Sequence, residues 1–345
     1  MGDNTKCNVV SKGNVTLQNQ VNLIDATNLN TVHAVAVSPD GKNLYAVAQS
    51  SNMVIYWDRD VTTGVLTNQV NLPLSQGPVA IKVSPDGTNV YVVTHYGHAI
   101  FHWDRNTASG VLSNQVQSVQ DNTNLENVIG LAIAPDGRNV YAVAVTSDSI
   151  VHWDRNTATG VLTNQINHLD SQNLNGASGV SISPDGKNVY AVGSLSKSIV
   201  YWSRDTATGE LTSQSVMGSS VLDGARGVAL SPDGKNVYVV ASDSASLVCY
   251  DRDKATGALS KQVILIDPIN LNGVCNVKVS PDGRSVYATA YDSDSMVQWD
   301  RNVNDGVLIN QVIFPAVDVM HYKFDGVFQD IATKGAYGWE SFIMN

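Results

Sequence analysis

The sequence predicts an all-β fold, a seven-bladed β-propeller built from four-stranded antiparallel blades. The first observation is a repeat, because the tripeptide Pro-Asp-Gly recurs six times, with its proline at positions 39, 85, 135, 184, 232 and 281. The second is that the repeats contain alternating apolar residues and short turns instead of a helical stripe. The third is that the two ends of the chain look like parts of one further repeat. Repeats of this length and pattern are typical of propeller blades.

Each repeat contains four predicted strands. An alternating apolar segment such as HAVAVS forms the first, and the Pro-Asp-Gly turn follows, in which proline fixes φ and glycine adopts a positive φ. The second strand, NVYAVA in the third repeat, is rich in β-branched and aromatic residues. A small polar loop leads to a third strand, SIVHWDR, and a turn at NTATG leads to a fourth. Tight turns between short strands predict one antiparallel blade per repeat.

The whole chain, residues 1–345, is predicted to be a single domain. Clear repeats start near residues 31, 77, 127, 176, 224 and 273. The seventh blade is predicted to combine residues 313–345 with residues 8–24, whose NVTLQNQVNL resembles a fourth strand. Strands from the two termini would then close the ring and cover two exposed sheet edges. Six or eight blades are the alternatives.

The charge composition of the chain limits which binding partners are expected. The chain has a net charge of −10 and no basic run, which argues against nucleic acid and anionic membranes. A small-molecule ligand or a glycan is the expected partner, and the oligomeric state is open. No signal peptide or apolar span is visible, and three scattered cysteines indicate reduced thiols. We therefore expect a cytoplasmic protein, with a secreted or extracellular mature fragment as the alternative.

Several motifs resemble a known family. The segments SPDGKNVYVVA, SIVHWDR and TATGVLT resemble the seven-bladed β-propeller lactonase family, which is similar to bacterial 6-phosphogluconolactonase, and related YVTN-type propeller repeats. The resemblance covers nearly all of residues 31–312. The C-terminal FQDIATKGAYGWESF looks instead like the EPTP repeat of some extracellular propellers. Because the shared motifs lie in strands and turns, they predict the fold more strongly than the activity.

In each repeat, one residue position that differs from blade to blade precedes two positions whose residue type hardly changes. It lies six residues before each Pro-Asp-Gly proline, at the start of the first strand, and we call it the variable column. Its members are His33, Val79, Ile129, Ser178, Arg226 and Cys275, with Asp318 in the proposed seventh blade. The next position is always small and the one after it always apolar. Because the first strands of a propeller line its central channel, the variable column is where a ligand would meet the protein.

Three members of the variable column are predicted to be catalytic. The resemblance implies arginine or histidine at this position, and ARGVALSPDG and VHAVAVSPDG match it at Arg226 and His33. Lactone hydrolysis needs a base to activate water and a cation to hold the carbonyl oxygen or a ligand anion. His33 oriented by Asp318 could be the base, and Arg226 the cation. The alternative is that Arg226 only pairs with Asp223 or Asp318.

Further candidates contact the ligand without taking part in catalysis. Ser178 and Cys275 belong to the variable column. The HYGHA loop contributes His95, Tyr96 and His98, where other repeats carry loops such as VTSDS and SLSKS. No carboxylate neighbours these histidines, so no metal site is predicted there. No cofactor is expected, and calcium at the Asn-rich loops is a weak alternative.

Positions that recur in every repeat are assigned to packing. A tryptophan or tyrosine follows the middle of each third strand, and the WDR motif is expected to organise the adjoining turn. His102 and His152 share a column with tyrosine, cysteine and glutamine, which indicates a site for a semi-polar packing residue.

Two functions follow from these patterns. The first is a lactonase-like hydrolase that opens a sugar lactone or another small lactone at the channel mouth. The second is a non-catalytic binding or scaffold propeller that recognises a glycan or a protein through its loop face. An enzyme concentrates unusual residues at one pocket, whereas a multivalent binder repeats polar residues in every blade. The sequence carries both patterns.

Overall fold

The computed structural model describes residues 25–315, which form six antiparallel sheets of four strands each. Each sheet is one blade, and its strands follow chain order from the inside outwards. The described residues also include one short 3₁₀ helix, Ser220–Leu222. None of their helices is long and apolar enough to cross a lipid bilayer.

The first three blades contain strands β1 to β12. Blade one has β1 (Val32–Val37), β2 (Asn43–Ala48), β3 (Met53–Arg59) and β4 (Leu66–Pro73). Blade two has β5 (Pro78–Val83), β6 (Asn89–Thr94), β7 (Ala99–Arg105) and β8 (Leu112–Gln120). Blade three has β9 (Val128–Ile133), β10 (Asn139–Ala144), β11 (Ser149–Arg155) and β12 (Leu162–Leu169).

The next three blades contain strands β13 to β24. Blade four has β13 (Ala177–Ile182), β14 (Asn188–Gly193), β15 (Ser198–Arg204) and β16 (Leu211–Gly218). Blade five has β17 (Ala225–Leu230), β18 (Asn236–Ala241), β19 (Ser246–Arg252) and β20 (Leu259–Ile266). Blade six has β21 (Val274–Val279), β22 (Ser285–Ala290), β23 (Ser295–Arg301) and β24 (Leu308–Pro315).

The Pro-Asp-Gly turn is held by its own side chains. In blade one the backbone N–H of Gly41 donates to the carbonyl of Ser38 at 2.8 Å, and Gly41 has a φ of +70°. The Ser38 hydroxyl donates to Asp40 and accepts from the backbone N–H of Asn43 at 3.0 Å. The turn therefore fixes the register between the first two strands, as the sequence motif predicts.

The core lies between blades. In blades one to five every residue of the second strand is buried, because each of these strands is covered on both faces. The Tyr141 hydroxyl, for example, crosses to the next blade and donates to the carbonyl of Gly209 at 2.6 Å. Trp103 belongs to the same buried cluster as Tyr45 of the preceding blade. The prediction that the regular aromatic column packs the blades is confirmed.

An arginine at the end of each third strand from blade two onwards reaches back to the preceding blade. Arg204 donates through Nε to the Tyr141 hydroxyl at 2.9 Å and pairs with Asp136 at 3.1 Å. It also donates to the side chain of Asn139. The equivalent arginines, Arg105, Arg155, Arg252 and Arg301, make the same kind of contact. We call this contact the arginine latch. The WDR arginine thus joins two blades, whereas the sequence suggested only a role in the adjoining turn.

The prediction of seven blades is wrong, because residues 25–315, the part of the chain that the structure describes, form six sheets. Residues 313–315, assigned to the start of a seventh blade, belong to β24. They cover the third strand of blade six, where Pro315 pairs with Ser295. The rest of the proposed seventh blade, residues 316–345 with 8–24, lies outside the described residues, as do the predicted ring closure and the EPTP-like segment.

Candidate functional site

The first strands of all six blades contribute to one central cavity of about 50 Å³. Its lining includes all six predicted members of the variable column within the described residues, namely His33, Val79, Ile129, Ser178, Arg226 and Cys275. The seventh predicted member, Asp318, lies outside the described residues. Residues up to 245 positions apart in the chain (33 to 278) therefore line one cavity.

The wall of this cavity is crowded, which explains the small residues beside the variable column. A Cβ atom placed on Gly179 would lie 2.5 Å from the carbonyl oxygen of Arg226 in the next blade. A Cβ on Gly227 would lie 3.2 Å from the carbonyl oxygen of Cys275. Carbon and oxygen cannot approach to 2.5 Å without displacement of one strand. The inner wall is thus set by backbone contact between neighbouring blades.

Arg226 is oriented by a hydroxyl of its own blade. Its Nε donates to the Ser242 hydroxyl at 3.2 Å, and Ser242 in turn donates to Asp243 at 2.7 Å. Asp223, considered above as a simple partner of Arg226, has its carboxylate paired with the ammonium of Lys197. The guanidinium is therefore part of a hydrogen-bonded arrangement at the cavity wall.

Ser178 and Cys275 make structural contacts within the same wall. The Ser178 hydroxyl donates to the carbonyl of Ala225 in the next blade at 2.6 Å. The Cys275 thiol lies 3.4 Å from the carbonyl oxygen of Thr289 on the second strand of its own blade. Both side chains face the cavity while holding backbone groups, so each supplies a small polar surface to it.

His95 of the HYGHA loop lies close enough to His33, a residue of the cavity wall, for the two imidazoles to interact electrostatically. Burial, followed by the neighbouring imidazoles of His33 and His98, lowers the pKa of His95 to about 4 against an opposing hydrogen bond with Val128. The two predicted groups of residues are therefore neighbours. Tyr96 packs edge-on against His95, with ring centroids 5.0 Å apart, and is 67% exposed.

His98 has a local structural contact. Its Nδ1 accepts the backbone N–H of Asn127 in the next blade at 3.1 Å. Its backbone has a φ of +48°, the left-handed conformation that a tight turn requires.

Two lysines of the cavity wall were not among the site residues predicted from the sequence. Lys82 and Lys278 also line the cavity, three positions after the variable column. The other blades carry alanine or serine at this position. Among the described residues that line the cavity there is no acidic side chain. A basic cavity in a chain with a net charge of −10 favours an anionic ligand.

A larger cavity of about 490 Å³ lies between blades five and six, around Cys249. At this position the other blades carry tyrosine, histidine or glutamine, so the smaller cysteine side chain leaves space. Burial raises the pKa of the Cys249 thiol to about 12, so the thiol stays protonated and unreactive at neutral pH. The variable column lies at the smaller central cavity, which we therefore take as the candidate site.

Metal ligands do not form a conventional cluster in the part of the chain that is described. No group of three or more histidine, cysteine, aspartate or glutamate side chains converges there in a way that could hold a metal ion. The chemistry that the central cavity offers comes from imidazole, guanidinium and ammonium groups.

A family comparison covers most of the chain. The family described as Lactonase, 7-bladed beta-propeller matches residues 6–126, 80–175 and 168–267, which together span residues 6–267. None of the curated proteins matches the chain.

Solved structures with this fold differ in activity. A putative 6-phosphogluconolactonase from Bacteroides uniformis is 19% identical with a TM-score of 0.65, over 82% of this chain and 85% of that one. The periplasmic gluconolactonase PpgL of Pseudomonas aeruginosa is 18% identical with a TM-score of 0.66, over 81% and 84%. Hydrazine synthase from Kuenenia stuttgartiensis is 22% identical with a TM-score of 0.60, over 82% and 80%. These likenesses establish the fold, which by itself does not fix the reaction.

Proposed function

The chain belongs to the lactonase family of β-propellers, and from this premise we propose that it is a hydrolase that opens a small lactone at the mouth of its central channel. The observation that carries the proposal is the convergence of His33 and Arg226 on one cavity, opposite the apolar Val79 and Ile129. A base and a cation on one side of a pocket, with an apolar surface on the other, suit a ring ester that becomes negatively charged during hydrolysis.

The small size of the cavity supports binding of the substrate at the cavity mouth and not inside it. A cavity of about 50 Å³ holds a few water molecules and is far smaller than the roughly 300–1,000 Å³ typical of small-molecule sites. The lactone ring would therefore lie against the loops, with its carbonyl group directed at the variable column. Tyr96 and His95 of the HYGHA loop would line this entrance.

The reaction assigns one role to each ionisable side chain. His33 removes a proton from water as the water oxygen attacks the lactone carbonyl carbon. Arg226 donates hydrogen bonds to the oxyanion that forms. When the ring C–O bond breaks, the imidazolium of His33 returns its proton to the leaving alkoxide, and the product is a hydroxy acid.

Charge favours a lactone that carries an anionic substituent. Lys82 and Lys278 line the same cavity as Arg226, and cationic walls raise the local concentration of an anionic substrate. The names of the similar structures, 6-phosphogluconolactonase and gluconolactonase, agree with a sugar-acid lactone as the substrate class.

A binding or scaffold function is the second candidate, since large apolar side chains are exposed in the loops. Tyr96 is 67% exposed, Leu195 69% and Ile269 81%. The first two lie in loops between second and third strands, and the third lies in a loop between two blades. Exposed apolar groups on connecting loops are typical of surfaces that recognise a glycan or another protein.

Acid release from a panel of sugar lactones, with and without phosphate, tests the proposal. We expect hydrolysis by the wild-type protein and a loss of about 100-fold or more in kcat/KM in His33→Ala and in Arg226→Ala. Val79→Ala, on the apolar side of the same cavity, is the control and should change kcat/KM by only a few-fold. All variants are first shown to be equally folded. If no lactone opens faster than its spontaneous rate, the hydrolase proposal fails and screens for glycan and protein binding become decisive.

A further inference from the structure

The larger cavity, between blades five and six, is separate from the central one. It is lined by the third and fourth strands of blade five and by the turn that precedes the fourth strand of blade six. No described residue lines both cavities. Its volume of about 490 Å³ falls within the roughly 300–1,000 Å³ typical of sites for small molecules. We call it the junction cavity.

In blades one to four, an aromatic ring of the third strand lies beside the tyrosine of the second strand. The ring centroids are 5.4 to 5.8 Å apart in the pairs Tyr45–Tyr56, Tyr91–His102, Tyr141–His152 and Tyr190–Tyr201. Distances of roughly 4.5 to 7 Å are those of interacting rings. This third-strand position therefore holds a packed ring in each of these four blades.

Blade five lacks that ring, because Cys249 lies opposite its second-strand tyrosine, Tyr238. The Cys249 thiol lies 3.8 Å from the carbonyl oxygen of Gly306 in blade six, and its side chain is far smaller than a phenol or an imidazole. Blade six has Gln298 at this position, and no further blade follows it within the described residues. The missing ring thus coincides with the junction cavity, which Cys249 lines.

Comparison with blade one isolates the effect of the cysteine. The outer strand of blade five carries Val263 and Leu265 where that of blade one carries Val70 and Leu72. The two blades therefore share the outer-strand pair and differ at the third-strand position, where blade one has Tyr56. Since Val263 and Leu265 both line the junction cavity, no larger outer-strand side chain replaces the lost ring.

The cavity wall has an apolar part formed by residues of one cluster. Leu308 of blade six belongs to the same buried cluster as Cys249, and Val263 and Leu265 pack against that cluster. All four residues line the junction cavity. A buried thiol behaves as a small apolar group, so this part of the wall suits the faces of an aromatic ring.

Blade two shows which polar group a ring at this position meets. The Nε2 of His102 lies 3.2 Å from the carbonyl oxygen of Thr159 in the turn of the next blade. The equivalent residue of blade six is Asp305, which lines the junction cavity. A ring with a hydroxyl or an N–H group therefore has a backbone carbonyl as a candidate acceptor.

The charges of the cavity wall are balanced. Lys261 pairs with Asp251 at 3.2 Å, and Arg252 forms the arginine latch of its blade. The two other charged residues of the wall, Lys235 and Asp305, have opposite signs. In contrast to the basic central cavity, the junction cavity favours a neutral ligand.

We propose that the junction cavity binds a small neutral aromatic molecule that carries a hydroxyl or a ring N–H group, such as a phenol. The ring would contact Cys249, Val263 and Leu265, in the space that corresponds to the Tyr56 ring of blade one. Its hydroxyl would donate to the carbonyl of Asp305. An apolar cavity left by a missing side chain can bind an aromatic molecule of matching shape. This site is independent of the proposed hydrolase.

Methyl-detected NMR titration of the full chain with 4-methylphenol, which has the ring and hydroxyl of a tyrosine side chain, tests the proposal. We expect saturable binding of one molecule per chain, with shifts in the methyl signals of Val263, Leu265 and Leu308. The melting temperature should rise with ligand concentration, because the ligand binds only the folded state. The non-planar 4-methylcyclohexanol should bind several-fold more weakly.

Two variants of one residue give the matched comparison. Cys249→Tyr recreates the arrangement of blade one, so its fold should be retained, and its ring should fill the cavity and abolish these shifts. Cys249→Ala keeps the cavity open and should bind 4-methylphenol within a few-fold of the wild type. The methyl shifts of the wild type locate the ligand without either variant.

Three results would overturn the proposal. One is the absence of saturable binding by the wild-type protein. Another is wild-type affinity in a folded Cys249→Tyr variant, which would assign the ligand to another place. The third is a set of shifts confined to the methyl groups of Val79 and Ile129, which would assign it to the central cavity. Lactone opening is not measured here, so these outcomes are distinct from failure of the hydrolase proposal.

Discussion

At the scale of single residues, the central cavity depends on glycine as much as on the polar side chains around it. Gly179 faces the backbone of Arg226 in the next blade, and its missing Cβ leaves room for the Arg226 carbonyl. The same contact constrains the backbone of Arg226, which lines the cavity. Packing of the wall and placement of the candidate cation are therefore linked.

Gly179→Ala should destabilise the protein by about 1–3 kcal/mol, because the added methyl group would lie 2.5 Å from a backbone oxygen that cannot rotate away. Gly218→Ala is the matched control, since the nearest atom to its new Cβ would be 3.8 Å away. We expect the control to stay within about 0.5 kcal/mol of the wild type in urea unfolding. Equal stability of the two variants would contradict this account of the wall.

Residue comparison along the repeats predicted part of the cavity. The variable column was located because it lies between a small column and an apolar one, and all of its described members line the cavity. The same comparison, applied to the position three residues after the variable column, would also have identified Lys82 and Lys278. The proximity of His95 to His33 could not have been predicted in this way, because it depends on the three-dimensional arrangement of blades one and two.

At the scale of strands and turns, the arginine latch gives each junction between described blades a buried polar contact. The Arg204 side chain is fully buried, whereas the Asp136 side chain keeps 33% of its surface exposed. Tyr141 and Asn139 of blade three also accept hydrogen bonds from it. The arginine thus satisfies several groups that would otherwise be buried without a partner.

Arg204→Met should cost about 3 kcal/mol of unfolding free energy, the lower end of the range for breaking a buried pair, because Asp136 retains contact with water. Lys261→Met is the control, since Lys261 is 82% exposed where it pairs with Asp251. Its effect should lie between about 0 and 1 kcal/mol. Chemical denaturation of both variants measures the difference, and a latch variant as stable as the control would refute the role of the arginine.

The strands themselves were predictable, but the partner of the latch arginine was not. Alternating apolar residues and Pro-Asp-Gly turns mark the first two strands of every described blade. The WDR arginine recurs with the same period as those strands, so its spacing is compatible with a contact inside its own blade or with the preceding one. Only the packed structure shows that Arg204 reaches Asp136 across the junction.

At the scale of the whole molecule, the repeat period predicted a propeller but gave the wrong number of blades. The prediction of a seventh blade rested on Asp325-Gly326 and on a terminal strand pattern, without the full Ser-Pro-Asp-Gly sequence that holds the turns of five blades. It also assigned residues 313–315 to a new blade, although β24 uses them to cover its neighbour.

Stability should fall as the pH is lowered from about 6.5 to about 4. Burial lowers the pKa of His95 and of His152 to about 4, and it also lowers those of His102 and His168. In this range the unfolded chain binds more protons than the folded one, so acid favours unfolding. Urea midpoints at pH 7, 5.5 and 4.5 measure the effect. His152→Tyr/His168→Met should show a shallower dependence, and a flat profile in the wild type would contradict the prediction.

Below pH 4, protonation of the aspartates of the arginine latch should lower the stability of the protein further. Burial tends to raise the pKa of Asp40, but hydrogen bonds from Ser38 and Arg105 outweigh it and lower the pKa to about 2. The stabilising contribution of Asp40 is therefore complete above its ordinary pKa near 4 and disappears as the pH falls towards 2.

The central claim, a lactone hydrolase with a basic channel mouth, is tested most directly by kcat/KM for one sugar-acid lactone with and without a phosphate group. We predict that the wild type opens both lactones above their spontaneous rates and prefers the phosphorylated one. Arg226→Ala should slow both reactions, and Lys82→Met/Lys278→Met should reduce the preference by about tenfold. Wild-type rates equal to the spontaneous rates would contradict the claim, and a preference for the neutral lactone would contradict the role of the lysines.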